Sequence, residues 1–416
     1  MRISQFGDRY TGDTGILQLM DDIVAAQKSG DVCMLGGGNP AILPKVNQVF
    51  QKAIQAMAAD ESAFAQSVAS YASPAGHLRF RQTLANWLNQ RFNWDISEDH
   101  IAITNGSQNA FFQLFNLFGG TNRDNQPQNI VLPMAPEYIG YTDVPVQTQV
   151  FKSFKPSIDL DGRRFKYRVD FDQFEIDPQT VALCCSRPTN PTGNVLTDDE
   201  VRQLAAKAKA ADIPFILDNA YGLPFPGIIN IDSQPYYDDN TILCLSFSKL
   251  GLPGLRTGIV IAQPALIKAL SGMNAIMNLA PSNVGPAALE PLFRDNTIDD
   301  ICQNDIQPFY QSQAEYAAAQ LLSMTEGTPL RIHKSEGSIF LWVWCENLPM
   351  HSSELYERLK SQGVIVVPGH HFFPGLEDDW RHKQECLRIS IAQPKDVLDR
   401  GIELIARVIN QTYAEA

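Results

Sequence analysis

Residues 180–218 read TVALCCSRPTNPTGNVLTDDEVRQLAAKAKAADIPFILD, and this stretch predicts the fold class. The apolar run at 180–185 is typical of a buried β-strand. Thr197 and Glu200 match a capping box, in which the Thr side chain accepts from an exposed helix N–H and the Glu reaches back, so a helix is predicted to follow. A second apolar run at 214–218 predicts the next strand. Strand, helix and strand at this spacing indicate an α/β fold whose central sheet is mostly parallel and flanked by helices.

Polar side chains follow the predicted strands of this region at the points where the strands end. Asp218 ends the second strand, and a further apolar run at 241–246 ends in Ser246, with Lys249 just beyond it. Ligands of open parallel sheets bind at the carboxyl ends of the strands. We therefore expect these three side chains to converge on one crevice.

The chain from about residue 290 onward has a different pattern, which predicts a smaller α+β domain. Helical patterns cover 306–322 and 352–362. An alternating pattern predicts a strand at 332–344, and the segments 364–367 and 386–390 predict a pair of strands. At 416 residues the chain also exceeds the size that one core usually supports. We therefore predict three parts: an N-terminal segment, 1–45, that joins the small domain and the active site, a large domain, 46–289, and a small C-terminal domain, 290–416.

The composition is that of a globular protein and disfavours several classes of partner. Hydrophobic residues make up 44% and charged residues 19% of the chain, and the formal net charge is -13, so nucleic acid is not an expected partner. No apolar run is long enough to span a bilayer, and no secretory signal begins the chain, so a cytoplasmic location is expected. The seven cysteines lack CxxC spacing and lie mostly in apolar runs, which predicts buried, reduced thiols.

Two adjacent histidines, His370 and His371, resemble a metal-binding pair. Neighbouring side chains on an extended segment point to opposite faces, so they would not share one ion. No metal site is expected.

The lysine of the sequence Ser246-Phe-Ser-Lys249 is a candidate nucleophile. Burial would favour its neutral amine, which is the form that attacks a carbonyl carbon. Ser246 and Arg256 flank it with a hydroxyl and a fork of N–H groups, which suit a phosphate. Alone, the same segment could be a surface turn.

Three other motifs could contribute to the same site. The predicted strand, turn and helix over 101–118 offer free helix N–H groups to an anion, although Ser107 could be an ordinary N-cap. The sequence Asn190-Pro-Thr-Gly193 follows a strand and could be a simple turn. Asp218, at the next strand end, could be a helix cap. None of these motifs is decisive alone.

Taken in order, the motifs resemble those of class-I aminotransferases, which are fold-type-I enzymes that depend on pyridoxal 5′-phosphate (PLP). The family shows Asn-Pro-x-Gly, then Asp-x-x-Tyr, then Ser-x-[Ser/Ala]-Lys followed by Gly-x-Arg. This chain has them at Asn190, at Asp218 to Tyr221, and from Ser246 to Arg256, and the resemblance runs from about residue 30 to 392. It implies a fold-type-I PLP transferase with a large domain, a smaller α+β domain, and a homodimer with shared active sites.

The resemblance also implies a role for each matched residue. Lys249 would carry PLP as a Schiff base and act as the general base, while Asp218 would hold the pyridine nitrogen. Tyr221, the third residue expected to be catalytic, would hydrogen-bond the phenolic oxygen together with Asn190. The other expected PLP contacts are Gly106, Ser107, Gln108, Tyr138, Ser246, Arg256 and, from the neighbouring subunit, Tyr71. The expected substrate contacts are Gly38, Asn190 and Arg388, of which Arg388 would clamp the α-carboxylate.

Four segments, 35–40, 135–141, 219–227 and 367–375, are similar to those of bacterial family members that transfer an amino group between valine and pyruvate. This implies conversion of L-valine and pyruvate to 3-methyl-2-oxobutanoate and L-alanine, with small neutral amino acids such as 2-aminobutyrate also accepted. Another class-I aminotransferase of neutral amino acids, or a fold-type-I PLP C–S lyase, is the alternative, because the motifs are shared. A nicotinamide dehydrogenase is disfavoured, because no G-x-G-x-x-G joins a strand to a helix.

Overall fold

The computed structural model describes residues 2–11 and 32–416. The strands are, in chain order, β1 Cys33–Met34, β2 Ile101–Thr104, β3 Gly120–Thr121, β4 Pro127–Leu132, β5 Phe151–Ser153, β6 Ser157–Asp161, β7 Arg164–Arg168, β8 Thr180–Ser186, β9 Phe215–Asp218, β10 Thr241–Ser246, β11 Gly258–Ile261, β12 Leu330–His333, β13 Phe340–Cys345, β14 Val364–Ile365, β15 Val367–Pro368 and β16 Cys386–Ser390. The helices are α1 Gln5–Asp8, α2 Pro44–Ala59, α3 Glu61–Val68, α4 Leu78–Phe92, α5 Ser107–Phe118, α6 Asp198–Ala210, α7 Pro264–Met277, α8 Val284–Arg294, α9 Thr297–Ile301, α10 Gln307–Met324, α11 Ser352–Ser361 and α12 Lys395–Ala414.

The larger sheet has eight strands in the order β2-β11-β10-β9-β8-β4-β3, and β5 pairs with β4. The pairs β10–β9, β9–β8, β8–β4 and β4–β5 are parallel, while β11 is antiparallel to both of its neighbours. Strands β8, β9 and β10 consist almost wholly of buried residues, as expected for a sheet that is covered on both faces. The predicted α/β class with a mostly parallel central sheet is confirmed.

A second sheet has six strands in the order β15-β16-β13-β12-β7-β6. Helices α10 and α11 contact its strands, and α12 packs on both helices. Strand β1 pairs in parallel with β14, which attaches residues 33–34 to this α+β part of the chain. The boundaries 1–45, 46–289 and 290–416 stay a prediction. Within the described residues, no helix is both long and apolar enough to cross a membrane.

The smaller sheet differs from the sequence prediction in three details. The predicted strand at 332–344 is wrong in extent, because it consists of β12 and β13 with a turn between them. The predicted strand at 364–367 is also two strands, of which β15 pairs with β16 as expected and β14 pairs with β1. The β6–β7 hairpin falls within the range predicted for the large domain, yet β7 pairs with β12 of the smaller sheet.

The local signals around β8 and β9 were accurate. Helix α6 starts with the predicted capping box: the Glu200 N–H donates to the Thr197 hydroxyl at 3.2 Å, and the Thr197 N–H donates to the Glu200 carboxylate at 2.8 Å. The strand register sets Ser186 of β8 and Cys244 of β10 beside Asp218 of β9. Strands β8 and β9 therefore end level with each other, and β10 continues two residues further to Ser246.

Candidate active site

The carboxyl ends of β8, β9 and β10 border a cavity of about 220 Å³, which Arg388 of β16 also lines. The wall therefore comes from both sheets and from the glycine-rich segment at 36–38. The lining residues are Gly36, Gly38, Ser107, Gln108, Phe111, Tyr138, Ile139, Ser186, Asn190, Asp218, Ala220, Tyr221, Ser248, Lys249, Arg256 and Arg388. Ten of the residues chosen from the sequence are in this set, namely Gly38, Ser107, Gln108, Tyr138, Asn190, Asp218, Tyr221, Lys249, Arg256 and Arg388.

Lys249 lies in a short 3₁₀ turn just after β10, and it lines the cavity. Its Nζ donates to the carbonyl oxygen of Gly38 at 2.6 Å and lies 5.1 Å from the centre of the Tyr221 ring. Burial lowers the pKa of the Lys249 amine to about 8, and the positive charges of Arg388 and Arg256 act in the same direction. The amine can therefore lose its proton far more easily than an ordinary lysine.

Asp218 ends β9 and is buried at the centre of the cavity wall. One carboxylate oxygen accepts from the Tyr141 hydroxyl at 2.7 Å, and the other accepts from the Ala220 N–H at 3.0 Å. Burial raises the pKa of Asp218 to about 6, while these two hydrogen bonds and the charge of Lys249 oppose that rise. The carboxyl group is thus ionised near neutral pH, in a place that would favour a positive partner.

Arg388 is almost fully buried and is held from four sides. Its two terminal nitrogens donate to the Asn190 side-chain oxygen at 2.9 Å and to the Gly36 carbonyl at 2.8 Å. The rings of Phe340 and Phe372 lie 4.1 and 5.1 Å from its guanidinium carbon. Its Nε is buried without a hydrogen-bond partner among the described residues. A planar cation fixed in this way suits the two oxygens of a carboxylate.

Helix α5 opens toward the cavity with free backbone N–H groups. Its N-cap is Gly106, which supplies no side-chain cap and has a φ of +90°. A Cβ on Gly106 would lie 2.2 Å from Nη2 of Arg256, so the missing side chain lets that guanidinium approach the helix end. A helix N-terminus with an arginine beside it is a suitable site for a phosphate.

Gln108, Tyr138, Asn190 and Tyr221 also line the cavity. Gln108 donates to the Gly140 carbonyl at 3.1 Å, and Gly140 itself packs against the ring of Tyr138. The Asn190 amide approaches the Tyr221 hydroxyl at 3.5 Å. Burial raises the pKa of both Tyr138 and Tyr221, so each hydroxyl is a neutral donor.

Three residues chosen from the sequence do not line the cavity. Gly106 lies behind the helix end, and Ser246 is fully buried, where its hydroxyl accepts from the Ser248 N–H at 3.0 Å. Ser248, two residues further on, has the lining position instead. Tyr71 is 81% exposed and lies outside the cavity of its own chain.

The two adjacent histidines are not on an extended segment, so that part of the sequence argument was wrong. His370 and His371 lie in a 3₁₀ turn with ring centroids 4.0 Å apart, and the His351 ring lies 4.9 Å from His370. Within the described residues, no group of three or more His, Cys, Asp or Glu side chains is arranged to hold a metal ion.

Several contributors to the site were missed by the sequence analysis. Phe340 and Phe372 flank Arg388 from two distant parts of the chain, and no local pattern indicates this. Tyr141 was visible in the quoted segment 135–141, but its bond to Asp218 depends on the packing of that segment against β9. Ser248 could have been found as the second serine of the Ser-x-Ser-Lys motif.

The sequence pattern of the family described as aminotransferase class I and II matches residues 31–405, so the chain belongs to this family. Its members are PLP enzymes, so PLP is the cofactor of this chain, and the architecture is that of fold type I.

Within the family, the chain is similar over its whole length to the valine–pyruvate aminotransferase of Escherichia coli K12, with 42% identity over 418 residues and 100% of both chains covered. A solved putative amino-acid aminotransferase from Psychrobacter arcticum 273-4 matches with a TM-score of 0.97 and 47% identity, covering 100% of both chains. The valine-pyruvate aminotransferase AvtA of Salmonella typhimurium LT2 matches with a TM-score of 0.88 and 41% identity, covering 96% of this chain and all of that one.

The donors and acceptors of the cavity fit PLP. The start of α5 and Arg256 offer N–H groups to a phosphate, and the Lys249 amine loses its proton more readily than an ordinary lysine because its pKa is lowered to about 8. Asp218 provides a buried carboxylate for a protonated ring nitrogen. The free Nε of Arg388 leaves one buried donor for a further anion at the opposite end. The arrangement therefore has separate places for a phosphate, a cationic ring and a substrate carboxylate.

Proposed function

We propose that this protein transfers the amino group between L-valine and pyruvate, forming 3-methyl-2-oxobutanoate and L-alanine, and also accepts small neutral amino acids such as 2-aminobutyrate. The main support for this proposal is the similarity, at 42% identity over the full length, to the valine–pyruvate aminotransferase of Escherichia coli. The charges of the cavity support the proposal. Among the described lining residues the cations are Lys249, Arg256 and Arg388, and Arg256 lies at the anion site of α5. Arg388 alone is then left for a substrate carboxylate, which favours monocarboxylic substrates.

Each site residue has a proposed task toward PLP. The phosphate would be held by Arg256 and by the start of α5 at Ser107 and Gln108. Gly106 and Ser246, which do not line the cavity, would support this end of the site. Tyr138 would cover one face of the ring, and Asn190 and Tyr221 would donate to its phenolic oxygen. When bound, PLP supplies an electron sink that stabilises negative charge at the substrate Cα. Asp218, ionised beside the ring nitrogen, would keep that nitrogen protonated.

The residues of this chain would also bind and deprotonate the substrate. Arg388 would hold the α-carboxylate through a fork that is already fixed by Asn190 and Gly36, so little order is lost on binding. The Gly38 backbone would add a contact to the same carboxylate. Lys249 would carry the cofactor covalently and, once released, would remove the proton from the substrate Cα as a neutral amine.

We also propose a homodimer in which Tyr71 completes the site of the neighbouring subunit. Large apolar side chains are exposed in two places. Val68, close to Tyr71 in sequence, is 55% exposed, and Ile276 and Leu279, at the end of α7 and just after it, are 87% and 62% exposed. Apolar side chains that are exposed together favour a protein interface. A cytoplasmic location is proposed as well, and the burial of all seven cysteine side chains supports a reducing compartment.

The test follows L-alanine formation from pyruvate with valine, 2-aminobutyrate, glutamate, aspartate or cystathionine as the donor. We expect the highest kcat/KM with valine or 2-aminobutyrate, and no activity above background in Lys249→Ala, which lacks both the covalent anchor and the base. Faster use of glutamate or aspartate would contradict the substrate assignment. Release of pyruvate and ammonia from cystathionine would instead support the alternative function, a C–S lyase of the same fold.

A further inference from the structure

Tyr141 is the one side chain that hydrogen-bonds the Asp218 carboxylate in the described part of the chain. Its hydroxyl donates to Oδ2 at 2.7 Å, whereas the other oxygen, Oδ1, accepts from the backbone N–H of Ala220. The backbone bond follows from the turn after β9 and would form with any residue at position 220 except proline. The bond from Tyr141 depends on one particular hydroxyl group.

The surroundings of Tyr141 fix that hydroxyl and keep it neutral. The side chain is fully buried, and its ring lies 5.1 Å from the rings of both Phe111 and Phe115 and 6.2 Å from that of Phe151. Burial, and then the negative charge of Asp218, raise the pKa of Tyr141 well above its ordinary value. Tyr141 therefore stays a donor throughout the pH range in which enzymes work.

Asp218 needs such a donor because its environment otherwise favours the protonated acid. Burial is the largest influence on its carboxyl group, and the Tyr141 hydroxyl is the largest influence that opposes it. The other titratable groups that face Asp218 are those of Glu137, Tyr138, Cys184, Cys185, Tyr221, Cys244 and Lys249. Of these, only Lys249 brings a positive charge, and its amine loses that charge readily.

We propose that Tyr141 is a positioning residue that keeps Asp218 ionised and aimed at the ring nitrogen of PLP. This rests on the proposed role of Asp218 but not on the choice of valine as substrate. Tyr141 would act through Asp218 without contacting the substrate, because it does not line the cavity. Its loss should thus change the electronic support of the cofactor and leave substrate binding nearly intact.

The test compares Tyr141→Phe with Tyr167→Phe, which removes another fully buried hydroxyl from the smaller sheet, where it bonds Trp342 and His382. In apoenzyme, PLP affinity measured by protein fluorescence should fall by about tenfold in Tyr141→Phe, since bonds to charged groups are strong. The loss should be larger at pH 6 than at pH 8, because Asp218 then holds its proton more often. Tyr167→Phe should bind PLP as wild type does at both values.

Kinetics of the holoenzyme give a second readout. In Tyr141→Phe the acid limb of kcat should move upward by on the order of one pH unit, while KM for the amino donor stays within about twofold. In an Asp218→Asn background, Tyr141→Phe should cause little further loss of PLP affinity. Equal losses in both backgrounds, or a PLP affinity in Tyr141→Phe that does not depend on pH, would overturn the proposal. These PLP readouts need no valine, so a wrong substrate assignment would leave them unchanged.

Discussion

At the scale of single residues, the site contains two cations, Lys249 and Arg388, whose charge depends differently on pH. Burial lowers the pKa of both, to about 8 for Lys249 and to about 10 for Arg388. Arg388 therefore remains charged and can hold a carboxylate, while Lys249 can supply a neutral amine. The difference follows from chemistry, because a guanidinium keeps its proton in surroundings where an ammonium gives it up.

The lowered pKa of Lys249 leads to a direct prediction. In apoenzyme the rate of Lys249 acetylation, followed by peptide mass spectrometry, should reach half its maximum near pH 8 rather than near the ordinary value of 10.5. In Arg388→Gln the midpoint should move upward, because removal of a nearby positive charge favours the ammonium form. An unchanged midpoint in Arg388→Gln would show that the two groups do not interact.

The meeting of the candidate catalytic residues at one cavity was largely predictable from sequence, whereas the contacts that hold them were not. Asp218 and Lys249 follow strand ends, and that position has a local signal in the apolar run before it. The contacts of Arg388 join residues that are far apart in the chain, since Gly36, Asn190 and Phe340 each come from a different element. Such contacts are set by tertiary packing, which no local pattern records.

At the scale of elements, the segment Ala135–Tyr141 joins several parts of the site. Glu137 is fully buried, and its carboxyl group accepts from the Ser186 N–H at 2.9 Å and bonds the Ser186 hydroxyl at 2.5 Å. Its own N–H donates to the carbonyl of Phe372, the residue that packs against Arg388. The segment thus links β8 of the large sheet to the turn that packs against Arg388.

Replacing Glu137 tests whether this linking carboxyl is neutral. Burial raises the pKa of Glu137 from 4.5 to about 8, so the folded protein holds this proton more tightly than the unfolded chain does. The free energy of unfolding therefore has its full value below pH 4.5 and decreases as the pH rises from there through 8. Glu137→Gln has nearly the same shape and no charge to bury. Its unfolding free energy, from urea titrations, should equal or fall below that of wild type at pH 5 and exceed it by on the order of 1–3 kcal/mol at pH 9. A difference that is constant with pH would contradict this.

The turn between β2 and α5 offers a second test at this scale. Gly106→Ala would place a methyl group 2.2 Å from Nη2 of Arg256, at a φ of +90° that alanine rarely adopts. We expect displacement of the guanidinium and PLP binding weaker by about tenfold or more, as one charged hydrogen bond is lost. Gly254→Ala is the matched control, since a Cβ there meets nothing within 4 Å. Equal affinity in the two variants would argue against this phosphate site.

The boundary between β12 and β13 had a local signal, whereas the contacts that fix this turn did not. Residues 334–338, between β12 and β13, read Lys-Ser-Glu-Gly-Ser, a polar stretch with a glycine that is a local turn signal, and the predicted single strand over 332–344 passed over it. In the fold, Gly337 lies against Pro188 and the carbonyl of Ile228, and Ser338 adopts a φ of +69°. The turn is thus fixed by loops that follow β8 and β9, and the β6–β7 hairpin is placed by the pairing of β7 with β12. Both sets of contacts join distant parts of the chain.

At the scale of the whole molecule, the site lies between two sheets. Asp218 and Lys249 belong to the larger sheet, and Arg388 belongs to β16 of the smaller one. The described residues of one chain supply every proposed contact except Tyr71. That exception makes the dimer testable.

Mixing two inactive or weakened variants tests the shared site. Tyr71→Phe protein should retain PLP less well, and Lys249→Ala protein should be inactive. If Tyr71 acts across the interface, hybrid dimers formed by refolding a mixture should contain one site with both defects and one intact site. We expect recovery of kcat/KM at low PLP above the level of Tyr71→Phe alone, measured per intact Lys249. Hybrids without such recovery would show that Tyr71 serves its own chain or neither.

The most direct measurement of the central claim is a single turnover in two halves. Holoenzyme mixed with L-valine alone should release one 3-methyl-2-oxobutanoate per Lys249, without ammonia, and then stop. Pyruvate added after removal of valine should yield an equal amount of L-alanine and restore the original absorbance spectrum. Continued release of oxo acid with ammonia, or no alanine after pyruvate is added, would contradict the assignment as a valine–pyruvate aminotransferase.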